Sequence, residues 1–167
     1  KDSNFEAMAV TVDTAVGGNR ERDLQTGFTI PMKLSLNSAL SFMTHPSWAI
    51  NYFTKPKWEL SNLKNHIDAG TSVMTSIGDY FTKMLDNSLD WKGVEEINKR
   101  WGGQFAIKGI MSVEDAKKAV DVGATAIMLS NHGGRQLDGA RSPFDQLAEV
   151  VDAVGDKIDV ICEGGIQ

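Results

Sequence analysis

Apolar and polar positions in the second half of the chain repeat in one order: a short apolar run rich in β-branched residues, a polar break, then a stretch of helical period. Residues 104–108 predict a strand, 112–122 a helix, 125–130 a second strand and 159–163 a third. The helix at 112–122 has Ser112 and Asp115 at capping-box spacing, apolar Val113, Ala116 and Val120, and Gly123 behind its end. The next helix starts at Ser142 with Pro143 in first position, carries Phe144, Leu147, Ala148 and Val151 as its apolar stripe, and stops at Gly155. Upstream, residues 7–12 predict a buried strand closed by Asp13. Residues 90–101 predict a helix with Val94, Ile97 and Trp101 on one face and Gly102 after it. The spacing leaves room for one crossover helix between successive strands, so parallel neighbours in a barrel or a doubly wound sheet are expected.

Residues 24–90 break this order. No period holds there, and the interval is too long for a connecting loop in a compact domain. It is read as an inserted excursion within one domain spanning residues 1–167. Its middle mixes Trp48, Tyr52, Phe53 and Trp58 with Lys55 and Lys57, a composition suited to a membrane interface. Aromatics packing on the domain's own surface account for the same residues equally well.

Composition narrows the function classes. With 41% hydrophobic and 23% charged residues the chain is globular, and a net charge of −5 with scattered Lys and Arg excludes the basic stripe that nucleic acid demands. The single cysteine, Cys162, excludes an internal disulfide, fits a reducing compartment and is expected to be buried in its strand. No run approaches the roughly 20 apolar residues of a spanning helix. No charged-then-apolar start resembles a signal peptide. The chain opens on Lys1 rather than Met and stops at Gln167 just past a Gly-Gly turn, and it reads as an excerpt of a longer polypeptide.

Each predicted strand ends in a polar residue that a core would not choose: Thr11 and Asp13, then Lys108, then Ser130, then Glu163. Taken singly, a strand-end lysine is a snorkelling surface residue and an Asp is a helix cap. In a parallel barrel, however, such ends converge on one mouth, where these folds keep their chemistry. The block Ser130 to Asp138, S-N-H-G-G-R-Q-L-D, follows a strand without a break and delivers His132 and Arg135 to that end. With Asp13 across the mouth, the set offers a proton acceptor, a clamp for a carboxylate and a partner for an imidazolium. No metal site is assigned.

These residues resemble the FMN-dependent 2-hydroxy-acid dehydrogenases and oxidases. The matching segments are T-V-D-T at Thr11 to Thr14, G-N-R-E-R-D at Gly18 to Asp23, I-K-G-I at Ile107 to Ile110, the nine-residue block at Ser130, and E-G-G-I at Glu163 to Ile166. The resemblance implies a (β/α)8 TIM barrel, of which this chain covers roughly strands four to seven, with FMN as cofactor. It implies that His132 is the base, Asp13 the stabiliser of its imidazolium, and Arg135 the clamp on the substrate carboxylate, with Arg20 a second arginine near the substrate. Lys108 is implied beside N1 and O2 of the flavin, Thr11 and Ser130 on the flavin ring, and Glu163, Gly164 and Gly165 facing the ribityl chain and phosphate. Many relatives carry Asp where Glu163 stands. Other FMN barrels share strand-end lysines and the Gly-Gly turn but do not need the H-G-G-R pair.

The resemblance also expects an Arg just after Gln167, a further Gly-Arg pair and an upstream Tyr, so the 167 residues alone are expected to bind FMN poorly and to turn over little. The insertion's T-H-P-S-W-A-I segment is similar to a region of membrane-associated bacterial lactate and mandelate dehydrogenases. The expected activity is FMN-dependent oxidation of L-lactate or a close 2-hydroxy acid to the 2-oxo acid, with electrons passed to a quinone or cytochrome. The expected location is cytoplasmic, at the inner face of the plasma membrane, in a homo-oligomer when full length. A soluble oxidase that uses oxygen and a truncated, non-catalytic fragment are the alternatives.

Overall fold

The computed structural model describes residues 3–15, 18, 21–27, 35–56, 87–137 and 139–166. The chain divides into two compact units, Lys1–Asn19 with Leu85–Gln167, and Arg20–Met84.

The first unit is built on four strands, β1 (Ala7–Thr11), β2 (Gln104–Ile110), β3 (Ala126–Leu129) and β4 (Asp159–Cys162). They lie side by side in sequence order and every pairing is parallel. Between β2 and β3 runs the helix Val113–Asp121, and between β3 and β4 the helix Pro143–Val154. Parallel strands joined in order through single helices are the repeating unit of a (β/α)8 barrel.

The helices start where their caps dictate. Ser112 Oγ accepts from the Asp115 amide at 3.0 Å, Ser142 Oγ from the Asp145 amide at 3.1 Å, and Asp90 Oδ1 from the Gly93 amide at 2.8 Å ahead of the helix Trp91–Trp101. That last helix ends on Gly102 at φ 61°, a left-handed stop that glycine adopts without steric cost. In chain order the described helices of this unit are α4 (Trp91–Trp101), α5 (Val113–Asp121) and α6 (Pro143–Val154), after the three helices of the second unit given below.

The core lies between the sheet and these helices. Phe105, Ile107, Ile127 and Leu129 alternate along β2 and β3 and are fully buried with Val150 and Val154 of α6 and Ala116 and Ala119 of α5. Burying each large side chain of this kind contributes about 1.5–3 kcal/mol. The opposite face of the strands carries Ala106, Lys108 and Met128, all only partly buried.

Three expectations are corrected. On α6, Phe144 and Val151 are exposed, as is Ala148, and the buried face is Pro143, Gln146, Val150 and Val154, with Leu147 packed beside it. The helix carries apolar residues on more than one side, so periodicity alone selected the wrong stripe. β1 alternates between exposed and half-buried residues instead of being buried, because only β2 pairs with it among the described residues. Cys162 is a free, half-buried thiol on β4, for the same reason at the other edge.

In the second unit, the patternless interval contains α1 (Glu21–Thr26), α2 (Leu36–Thr44) and α3 (Pro46–Thr54). Ser35 and Ser38 form a reciprocal capping box at the start of α2, and Pro46 opens α3. Phe42 stacks on Trp48 and Trp48 on Tyr52, each at 5.2 Å between centroids, and Phe53 meets Tyr52 edge-on at 5.3 Å. None of these helices has a buried residue, so no hydrophobic period marks them in the sequence. Trp58 and Lys57 lie outside the described residues.

Candidate active site

Two strand ends form a dyad. The Val12 amide donates to Lys108 O at 2.9 Å, carrying the β1–β2 ladder one residue further and setting Asp13 at the C-terminal end of the sheet. From the end of β3, His132 turns back so that its Nδ1 lies 3.2 Å from Asp13 Oδ1 and 3.3 Å from Oδ2. The Asp13 side chain is 14% exposed and the His132 ring 35%. A carboxylate only accepts, so the proton of this contact sits on Nδ1 and the lone pair of the neutral ring sits on Nε2. The contact fixes which ring nitrogen faces Asp13 and leaves Nε2 facing away from it.

His132 holds that position in a left-handed backbone conformation, φ 60°, uncommon for a residue with a side chain. The loop supports it closely. The His132 amide donates to Ser130 Oγ at 3.1 Å, Asn131 Oδ1 accepts from the Gly134 amide at 3.1 Å, and Asn131 Nδ2 donates to Arg141 O at 3.1 Å. Asn131 was not among the sequence candidates. Its signal was its place one residue before the His-Gly-Gly turn, where a short amide side chain bonds the following backbone. Arg135 follows the turn, exposed, and among the described residues its guanidinium has no hydrogen-bond or ion-pair partner.

The remaining strand ends meet in a second cluster. The register pairs Thr11 with Lys108, Lys108 with Met128, and Met128 with Ile161. Ser130 and Glu163 therefore lie two residues, about 7 Å, further along their strands than Lys108 does. The lysine arm covers that offset: its Nζ donates to Ser130 Oγ at 2.8 Å and pairs with Glu163 Oε1. The Ser130 hydroxyl also donates to Glu163 Oε1. The hydrogen-bonded ammonium of Lys108, then the Ser130 hydroxyl, hold the Glu163 carboxyl below its ordinary value. Gly164 and Gly165 follow at φ 112° and 63°, with open space where a Cβ would stand. Of the predicted site residues, Asp13 and His132 are brought into contact, and Lys108, Ser130 and Glu163 form one cluster. Thr11 stands exposed at the end of β1, and Arg20 lies outside the described residues.

Among known proteins, the chain is 37% identical over its full length to L-lactate dehydrogenase of Vibrio cholerae, of which it spans 44%. It is 38% identical to L-lactate dehydrogenase of Haemophilus influenzae, again spanning 44%. The structure superposes on the monotopic membrane protein (S)-mandelate dehydrogenase with a TM-score of 0.88 at 33% identity, covering 99% of this chain and 43% of that one. Against a mandelate oxidase the TM-score is 0.66 at 32% identity, covering 99% of this chain and 38% of the oxidase. The chain thus spans less than half the length of the relatives it matches, and the four parallel strands are part of a (β/α)8 barrel. The model of the FMN-dependent dehydrogenases matches residues 1–167, and the chain belongs to that family.

Proposed function

We propose that the polypeptide to which this chain contributes oxidises L-lactate, or a close 2-hydroxy acid, to the 2-oxo acid with FMN as cofactor. What carries the reading is the His132–Asp13 contact, in which Nδ1 faces the carboxylate and Nε2 faces away from it, with Arg135, whose guanidinium has no partner among the described residues, three positions further along the chain. Arg135 takes the substrate carboxylate in a paired hydrogen bond, a geometry lysine does not offer. His132 Nε2 accepts one proton from the carbinol, and the Asp13 carboxylate stabilises the imidazolium that results. Bound FMN supplies the two-electron acceptor. The residues present fit it: the Lys108 ammonium keeps a donor beyond its bonds to Ser130 and Glu163, Thr11 is exposed beside it, and Gly164 and Gly165 leave their backbone open to a close ligand. The test is anaerobic mixing of the full-length, FMN-loaded protein with L-lactate. Bleaching of the flavin's visible absorbance is expected, and its absence with lactate, glycolate and mandelate alike removes the proposal.

The aromatic group on α2 and α3 favours a respiratory acceptor over oxygen. Leu40, Met43, Trp48, Ile50 and Phe53 are all exposed on two short helices, with Lys55 just beyond them, the composition of a surface that rests at a membrane interface. No helix among the described residues is long and apolar enough to cross a membrane. The same proposal takes the insertion, residues 24–90, as a peripheral contact at the inner face of the plasma membrane and the full-length enzyme as a homo-oligomer. Liposome flotation of the Trp48→Ser and Phe53→Ser variants tests the contact, with loss of binding expected; rapid reoxidation by oxygen instead of a quinone would favour the oxidase.

A further inference from the structure

Three adjacent strand ends converge on one carboxylate oxygen. Lys108 comes from β2, Ser130 from the end of β3, and Glu163 from the end of β4, where its amide continues the ladder by donating to Leu129 O at 3.2 Å. Ser130 is fully buried, so its hydroxyl is fixed between the ammonium and the carboxylate. The bridge needs the length of a glutamate; an aspartate, one methylene shorter, reaches less far across the sheet.

The pairing matters for charge. Oxidation of the 2-hydroxy acid delivers two electrons and one proton to the flavin and the other proton to His132, so the flavin side of the site gains one negative charge. An isolated lysine stabilises that charge. A lysine in contact with a carboxylate acts as a dipole, whose field falls off faster with distance and is weaker at the same place.

We propose that Glu163 tunes the cofactor site through Lys108: its carboxylate cancels part of the lysine's charge and so lowers the preference of the site for reduced over oxidised FMN. Glu163 is thus a positioning residue acting on Lys108. The inference rests on the FMN reading above.

The experiment measures the flavin midpoint potential and the dissociation constant of oxidised FMN in the full-length protein, for wild type, Glu163→Gln, Glu163→Asp, Lys108→Met and the Lys108→Met/Glu163→Gln double variant. Glu163→Gln keeps an oxygen for both donors and removes the charge. It is expected to raise the ratio of affinities for reduced and oxidised FMN about tenfold, a rise of about 30 mV for a two-electron couple. Glu163→Asp is expected to move the potential the same way by less. With Lys108 replaced by Met, adding Glu163→Gln is expected to shift the potential little, because the term being measured is the pair's coupling. An unchanged potential in loaded Glu163→Gln overturns the proposal, and so does an equal shift without Lys108. Failure of both Glu163 variants to fold, by circular dichroism, or to retain FMN also overturns it, since a tuning residue leaves binding in place. Wild type that holds no FMN sinks the FMN reading instead.

Discussion

Gly109 lies against Asp13. A Cβ on Gly109 would stand 2.7 Å from Asp13 Cβ and 2.8 Å from Cγ, and its φ is 103°. It is also the extra residue where the β2–β3 register shifts between Lys108 and Ile110. One glycine therefore makes the bulge that follows Lys108 and leaves the room in which Asp13 faces His132. Gly109→Ala is expected to cost about 1–3 kcal/mol of stability from backbone strain and to lower kcat by pushing Asp13 off the ring. Urea unfolding and steady-state kinetics check the two effects separately.

Replacing the proposed base separates chemistry from binding. His132→Ala is expected to lower kcat about 10²- to 10⁴-fold, the range of a general base, while FMN content stays near wild type. Asp13→Asn keeps an oxygen facing Nδ1 and loses the charge, so a smaller fall in kcat with little change in KM is expected. A loss of bound flavin in His132→Ala would instead assign the residue to the cofactor.

Gly18 lies against the loop that carries His132 and Arg135. A Cβ there would fall 1.7 Å from the Arg135 carbonyl oxygen and 2.8 Å from Gln136 Oε1, atoms that cannot both move aside without shifting the loop. Gly18→Ala is therefore expected to displace Arg135 and to raise KM for the 2-hydroxy acid more than it lowers kcat. Initial rates across substrate concentration give the split.

The Glu163 carboxyl predicts an acid limb in stability. Its folded value is lowered by Lys108 and Ser130, so its contribution is present above the unfolded value of about 4.3 and is lost as pH falls through the lowered folded value. The contribution is screened, because the side chain is 35% exposed. Urea-unfolding free energies of wild type and Glu163→Gln, followed from pH ~7 to ~3, are expected to converge on the acid side. Parallel curves would show that the carboxylate adds nothing to the fold.

Much of the candidate site's geometry was legible because strand ends and turns are local. Lys108, Ser130 and Glu163 each close an apolar run, and the His-Gly-Gly-Arg turn follows its strand directly. The caps at Ser112 and Ser142 bond where their spacing placed them. Faces were less legible. The buried side of α6 depends on which neighbours it meets, and the helices α2 and α3 carry their apolar residues outward, so no period reveals them.

Residue order along the chain determined the parallel α/β alternation, the identity of the dyad and the family resemblance, because each rests on short segments whose residues carry their own geometry. Only the tertiary structure decided the register. The two-residue offset that sends Lys108 across to Ser130 and Glu163, and the bulge at Gly109 that admits Asp13, arise from strands far apart in sequence coming to lie side by side. A hydrogen-bond ladder sets that alignment, and the backbone groups that form it are the same at every residue.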